Sequence, residues 1–230
     1  MQISVIIPVL NEEESLRKLI PSIFDHSKNK QLEIIVVDGG STDRSILTAR
    51  SLGAKVLQSP TQSRAAQMNL GAKNATGGIF YFVHADTSIH ADFETDIIQA
   101  VRNGIDAGCY RYRFDSKKIL LNFNAWFTRF NSILAGGGDQ TLFVAKNIFE
   151  SLGGFNEYYT IMEDFEFVGR IKKMYNFQVL PKTIMVSARK YDTNSWIRVQ
   201  LANMTVFILF FCKQSPDSLK TIYRRMLNYR

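Results

Sequence analysis

The chain lacks the residues that would staple it together or equip it with a thiolate metal centre. Its two cysteines, Cys109 and Cys212, lie far apart, with no CxxC and no Cys/His cluster. A disulfide framework or zinc site is therefore not indicated, and a reducing compartment fits. There are only five prolines, and no Pro/Gly-rich linker, internal repeat or low-complexity tract divides the chain. No GxGxxG follows the first apolar run, and GxxxxGK[ST], HExxH and GxSxG do not occur. The dinucleotide, P-loop, zincin and serine-hydrolase fingerprints are thus missing. Aromatics are abundant, but no RNP-like pattern joins them to basic residues for RNA stacking. The sequence also lacks an uninterrupted apolar run of the ~20 residues a membrane span needs. Its most apolar late stretch, Trp196 to Cys212, carries Arg198, Gln200 and Asn203. Met1 to Pro8 has no basic n-region and reads as a strand, not a signal peptide.

What is present suits one domain, or one domain with an appendage. Hydrophobic residues make up 46% of 230, enough for a sizeable core. The net charge of +7 points to nucleic acid, anionic lipid or a phosphorylated small substrate, or simply to a basic soluble surface.

The first half alternates strand and helix. Ile3 to Pro8 is continuously apolar, as a strand buried on both faces should be. Asn11 with Glu14 has the spacing of a capping box for a helix through Leu16, Leu19, Ile20, Ile23 and Phe24, in which Pro21 predicts a kink or early end. Strands are expected at Ile34 to Val37, Ala54 to Leu57 and Ile79 to Val83. Helices are expected up to Gly53, over Arg64 to Lys73 and over Asp92 to Arg102. This pattern implies a mostly parallel sheet, with ligand bound beyond the carboxyl ends of its strands. Three polar clusters fall at those ends: Asn11 with Glu12, Asp38 with its glycines, and His84 with Asp86. In the second half, Cys109 to Asp115 and Gln140 to Val144 read as strands. Ile119 to Leu134 is amphipathic, and Gly136 to Gly138 form a hinge. A helix over Glu163 to Met174 precedes a short strand pair and two C-terminal helices, Ser195 to Cys212 and Asp217 to Asn228.

Each cluster has a plain structural alternative. Asp38 can meet a base or ribose, or merely cap the next helix. Asp86 suits a hard cation bridging a diphosphate, with His84 a ligand that Mn²⁺ tolerates better than Mg²⁺; a turn Asp beside a packed His is the alternative. Glu163 and Asp164 can be helix-capping acids or can supply a general base. Arg64, beside Ser63 and Gln67, can meet phosphate or stay solvated. Asp139 and Gln140 can form an acceptor rim or a plain loop. Arg189, Lys190, Arg198, Arg224 and Arg225 suit a solvated face, lipid headgroups or a diphosphate.

Taken together, Val5-Ile6-Ile7-Pro8-Val9-Leu10-Asn11-Glu12-Glu13, Val36-Val37-Asp38-Gly39-Gly40-Ser41-Thr42-Asp43, His84-Ala85-Asp86, Gly153-Gly154-Phe155 and Met162-Glu163-Asp164 resemble the family-2 glycosyltransferases over roughly residues 1 to 190. The His-Ala-Asp variant, the run Gly138-Asp139-Gln140 and the tail resemble a bacterial subgroup labelled arsenosugar-biosynthesis-type glycosyltransferases. The resemblance implies an α/β, GT-A-type nucleotide-binding fold: a mostly parallel central sheet flanked by helices over 1–190, with a helical C-terminal extension over 191–230. It implies donor contacts from Pro8, Asn11, Glu12, Asp38, Arg64 and Asp86. Asp86 and His84 would hold Mn²⁺ or Mg²⁺, with His84 replacing the family's usual first Asp. Asp164 would be the catalytic base, with Glu163, Asp139 and Gln140 toward the acceptor.

The expected activity is inverting transfer of a sugar from a nucleotide sugar to an acceptor hydroxyl. The expected location is cytoplasmic or peripheral on the inner membrane face, with the C-terminal helices on the lipid and no nucleic-acid partner. A non-catalytic nucleotide-sugar-binding protein and a nucleotidyltransferase on a related fold are the rival readings.

Overall fold

The computed structural model describes residues 1–28, 32–116, 118–131 and 140–227, with the backbone alone at 119, 122–124 and 127. In chain order the first half runs β1 (Ile3–Val9), α1 (Glu13–His26), β2 (Glu33–Asp38), α2 (Ser45–Ser51), β3 (Lys55–Gln58), α3 (Arg64–Lys73), β4 (Ile79–Phe82), β5 (Thr87–Ser88) and α4 (Phe93–Arg102). The second half runs β6 (Ala107–Phe114), α5 (Ile119–Trp126), a 3₁₀ turn (Phe127–Arg129), β7 (Leu142–Ala145), α6 (Lys146–Ser151), α7 (Glu163–Met174), β8 (Phe177–Val186), α8 (Lys190–Thr193), α9 (Trp196–Phe211) and α10 (Pro216–Met226).

The strands form one sheet in the order β3-β2-β1-β4-β7-β6-β8-β5. The pairs β3–β2, β2–β1, β1–β4 and β6–β8 are parallel. Strands β7 and β5 run antiparallel to their neighbours. The continuous apolar run of β1 is explained by two packed faces. Ile3, Val5, Ile7 and Val9 enter the core shared with α1 and α4, and Ile6 enters the one shared with α3 and α7. Both faces being covered is what a parallel sheet requires.

Three expectations change. Asn11 does not cap α1: it adopts φ 57, and Glu12 occupies the cap position without a side-chain cap bond. The Asn11 carboxamide oxygen is engaged instead by the next loop, where it accepts from the Thr42 amide at 2.8 Å. Pro21 does not end α1, which continues to His26. The lost bond to the Arg17 carbonyl is offset by burial of Leu16, Leu19, Ile20 and Ile23 along one face. The expected strand pair near the end is one ten-residue strand, β8, whose register against β6 shifts between Tyr110 and Arg111. That irregularity breaks the alternation by which a single long strand is recognised.

Candidate active site

Strands β2, β1 and β4 are adjacent and parallel, so their carboxyl ends lie about 5 Å apart in the pairing direction. Asp38 is the last residue of β2, Asn11 and Glu12 follow β1, and His84 and Asp86 follow β4. The loops after β1 and β2 are stitched together. The Asn11 amide donates to Ser41 Oγ at 2.8 Å, the Glu12 amide to Ser45 Oγ at 2.8 Å and the Glu13 amide to Asp43 Oδ2 at 3.1 Å. Asp38 is buried, and its carboxylate accepts from the Gly40 amide at 2.9 Å and from the Ser41 amide. Gly40 has φ 100, which admits this tight return. Asp38 thus shapes its own loop, and Pro8, half-buried in β1, pairs with Val37 beside it.

Gln67 of α3 adds a feature that the sequence reading passed over. Its buried amide donates to the Val9 carbonyl at 2.9 Å and to the Val37 carbonyl at 2.7 Å. It therefore pins the ends of β1 and β2 under the cleft floor. A polar residue among the small and apolar residues of the buried face of α3 was the available signal.

Arg189, directly after β8, joins two of the clusters. Its guanidinium grips Glu12 through both carboxylate oxygens, and Nη2 lies 3.2 Å from Asp86 Oδ2. Glu12 and Asp86 therefore face one space from neighbouring strand ends, and that space already attracts a cation. The donor set fits a divalent metal: Asp86 offers a hard oxygen and His84 a borderline nitrogen, a combination closer to Mn²⁺ than to Mg²⁺. Among the described residues no three His, Cys, Asp or Glu side chains cluster for a metal.

Glu163 and Asp164 open α7, and both are buried. Met162 precedes them with φ 66, a conformation that costs a non-glycine residue about 1–2 kcal/mol. This reversal brings both carboxylates into the first turn, where the helix dipole favours negative charge. Glu163 lies 3.5 Å from Arg64, the first residue of α3, which links the second half of the chain to the first. Glu166, the third acid of that turn, is taken by Arg170 at 2.7 Å. Arg170 also donates to the Leu152 and Gly154 carbonyls, at 2.6 and 2.7 Å. Asn69 of α3 exchanges two 2.9 Å bonds with Phe155. The Gly153-Gly154-Phe155 loop is thereby a brace that sets where α7 begins.

Gln140 departs from its expected place on an acceptor rim. It is buried, and its amide donates to the Tyr110 carbonyl at 2.9 Å and to Cys109 Sγ. The core needs a donor there to satisfy β6 beyond its short pairing with β7. Asp139 and the Gly136 to Gly138 hinge lie outside the described residues. An apolar cavity of about 470 Å³ opens between α5 and the α8–α9 segment, lined by Lys118, Leu121, Tyr191 and Trp196 among others. None of the candidate residues lines it.

Comparison with known proteins bears on the fold and the family. The mannosyltransferase PcManGT of Pyrobaculum calidifontis, solved with GDP-Man and Mn²⁺, superposes with a TM-score of 0.70 at 19% identity, over 96% of this chain and 67% of that one. S. aureus TarS 1-349, solved with UDP-GlcNAc, superposes with a TM-score of 0.64 at 19% identity, over 98% and 71%. These likenesses show a GT-A-like α/β fold. A Pyrococcus furiosus dolichol-phosphate mannosyltransferase is 32% identical over 46% of this chain and 32% of its own length. The glycosyltransferase GlyA of Streptococcus pneumoniae is 27% identical over 76% of this chain and 24% of its own length. The chain thus spans about a quarter to a third of those two relatives. The model of the family described as "Glycosyl transferase family 2" matches residues 4–182, which include the carboxyl ends of β1, β2 and β4 and the start of α7. On that match the chain belongs to glycosyl transferase family 2.

Proposed function

We propose that this chain transfers a sugar from a nucleoside-diphosphate sugar to an acceptor hydroxyl, with inversion at the anomeric carbon. The catalytic unit would be residues 1–190, and 191–230 an extension packed against it. The observation that carries the reading is a pair of bridges between the candidate clusters. Arg189 ties Glu12 to Asp86, and Arg64 ties the donor-side helix to Glu163. The complexes of PcManGT with GDP-Man and of TarS with UDP-GlcNAc support a nucleotide-sugar donor.

In this reading Asp38 and its loop, with Pro8 and Asn11, receive the base, and Glu12 the ribose. Arg64 approaches the nucleotide. Asp86 and His84 hold Mn²⁺ or Mg²⁺, which supplies Lewis-acid stabilisation of the leaving diphosphate when bound. Asp164 removes the acceptor proton as its oxygen attacks the anomeric carbon from the face opposite the leaving group. Glu163, held by Arg64, lies toward the acceptor. The His84 variant supports placement in the bacterial subgroup labelled arsenosugar-biosynthesis-type.

The test is Asp164→Asn. Turnover should fall by about 10²- to 10⁴-fold, while nucleoside diphosphate with Mn²⁺ still raises the melting temperature. Undiminished turnover would reject Asp164 as base. Complete inactivity of the unaltered protein toward UDP- and GDP-sugars, hydrolysis included, would instead favour a non-catalytic binding protein.

A surface feature supports peripheral attachment to an anionic membrane face. Ile197, Leu201, Met204, Ile208 and Phe211 are all about half exposed or more and recur at helical spacing along α9. Around them the tail carries Arg198, Lys213, Lys220, Arg224 and Arg225 against Asp192 and Asp217. Such a helix suits the plane of an anionic interface. Among the described residues no helix is long and apolar enough to cross a membrane. Leu201→Asp combined with Ile208→Asp should abolish flotation with anionic vesicles at an unchanged melting temperature; undiminished flotation would refute the contact.

A further inference from the structure

Arg189 occupies an unusual position for an exposed arginine. Its side chain is 57% exposed, yet it pairs with two carboxylates that are each far less exposed, Glu12 at 14% and Asp86 at 28%. An ordinary surface ion pair contributes little. This one brings a fork-shaped donor to two acids from different loops, and in the proposed reading both acids serve the donor. Without Arg189, the two negative charges would confront an incoming diphosphate without this guanidinium between them. With it, the metal ligand Asp86 is already engaged by a cation that is not the metal. Arg189 also occupies the N-cap position of α8, so its position is coupled to the tail that begins there.

Resting on the glycosyl-transfer reading, we propose that Arg189 is an exchangeable counter-ion. In the ligand-free protein it neutralises Glu12 and Asp86. When a metal-bound diphosphate arrives, it yields Asp86 to the metal and turns its guanidinium to the phosphate oxygens. Two cations cannot share Asp86 without repulsion, whereas the guanidinium fork matches a diphosphate as well as a carboxylate. Metal alone and Arg189 therefore oppose one another, while metal-bound nucleotide and Arg189 support one another. A residue that merely tied the tail down would not show this reversal of sign.

The experiment measures two affinities on one variant. Mn²⁺ binding to the nucleotide-free protein is followed by loss of the free Mn²⁺ paramagnetic resonance signal. Binding of UDP and GDP in saturating Mn²⁺ is followed by titration calorimetry. Arg189→Ala should bind Mn²⁺ alone roughly 2- to 5-fold more tightly, the size of a lost exposed charge interaction. The same variant should bind the preferred nucleoside diphosphate about 10- to 100-fold more weakly, as expected for lost hydrogen bonds to a charged group. Arg189→Lys, which keeps the charge without the fork, should leave Mn²⁺ affinity near that of the unaltered protein and recover only part of the nucleotide affinity. If Arg189→Ala weakens both ligands, or leaves Mn²⁺ affinity unchanged, the exchange is overturned and Arg189 is a tail anchor. If the unaltered protein binds Mn²⁺ but neither UDP nor GDP, the glycosyl-transfer reading fails and carries this inference with it.

Discussion

The two halves of the sheet present their chemistry differently. On one side β3, β2, β1 and β4 run parallel, and their carboxyl ends deliver Asp38, Glu12 and Asp86 from three successive loops. On the other side β7, β6, β8 and β5 mix directions, and the candidate base Asp164 comes from the first turn of helix α7. Its position depends on the loop brace of Gly153, Gly154 and Phe155, held by Asn69 and Arg170. The first arrangement is set by register, because strands buried on both faces cannot slip without exposing their apolar runs. The second is set by side-chain hydrogen bonds. Changes on the parallel side should therefore affect folding and donor binding together, whereas changes to the brace should affect acceptor chemistry more than donor binding.

The largest separable effect should come from Asp38→Ala. The buried carboxylate receives the Gly40 and Ser41 amides, and its removal leaves those donors unmatched. A loss of about 1–3 kcal/mol is expected, visible as a lower denaturant midpoint at an unchanged slope. Nucleotide binding should fall in the same variant. If stability drops while nucleotide affinity holds, Asp38 is a loop-shaping residue only, and the parallel side has less of a donor role than its geometry suggests.

The same contrast explains what was legible in the sequence. On the parallel side a strand announces itself as an apolar run, and polar residues immediately after it are presented where ligands bind. Asp38, Glu12 and Asp86 could be picked out from position alone. On the mixed side the signals are weaker. Strand β8 is only alternately buried and changes register beside Tyr110. Gln140 resembles any loop glutamine until the Tyr110 carbonyl is seen to need its amide. Arg189 is one basic residue among several in a basic tail, and only the fold brings it to Glu12, far away in sequence. Helix α7 was clear from its spacing, but the contact from Glu163 to Arg64 was not.

A smaller effect, confined to the mixed side, should follow Gly154→Ala. Gly154 has φ 70, and an added Cβ would lie 2.7 Å from Asn69 Oδ1. The left-handed conformation alone costs about 1–2 kcal/mol once a side chain is present, and Asn69 must also yield its bond to Phe155. Turnover should fall by more than the stability loss explains, while nucleotide affinity changes little. Equal losses in both would mean that α7 and the donor loops form one mechanical unit, which would break the contrast.

A pH-dependent effect belongs to the parallel side. Burial pushes the Glu33 carboxyl up, but hydrogen bonds from Ser4 and Thr76 and the charge of Lys55 outweigh it and hold the group below its ordinary 4.5. A lowered folded value means that Glu33 stabilises the protein fully above its unfolded value. That contribution is lost as pH falls through the folded one. Glu33→Gln should therefore melt below the unaltered protein at pH 7, by an amount worth about 1 kcal/mol. The gap should narrow below about pH 4. A gap independent of pH would place the effect in packing at the start of β2, not in ionisation.

The smallest effect is read from the reactivity of the two cysteines. Cys109 lies in β6, buried beside Gln140, and burial pushes its thiol up to about 12. Cys212 is exposed at the end of α9. Thiolate is the reacting species and access governs its attack, so iodoacetamide at pH 8 should label the exposed Cys212 first. Cys109 should be labelled only as fast as the sheet opens around it. Reaction of Cys109 in native buffer then reports local opening of β6 with β7 and β8, independently of global unfolding. If the mixed side is held mainly by side-chain bonds, that rate should rise in Gly154→Ala more than in Asp38→Ala, even though Asp38→Ala costs more stability overall. The opposite order would show that the sheet opens as a whole and that its parallel side governs both halves.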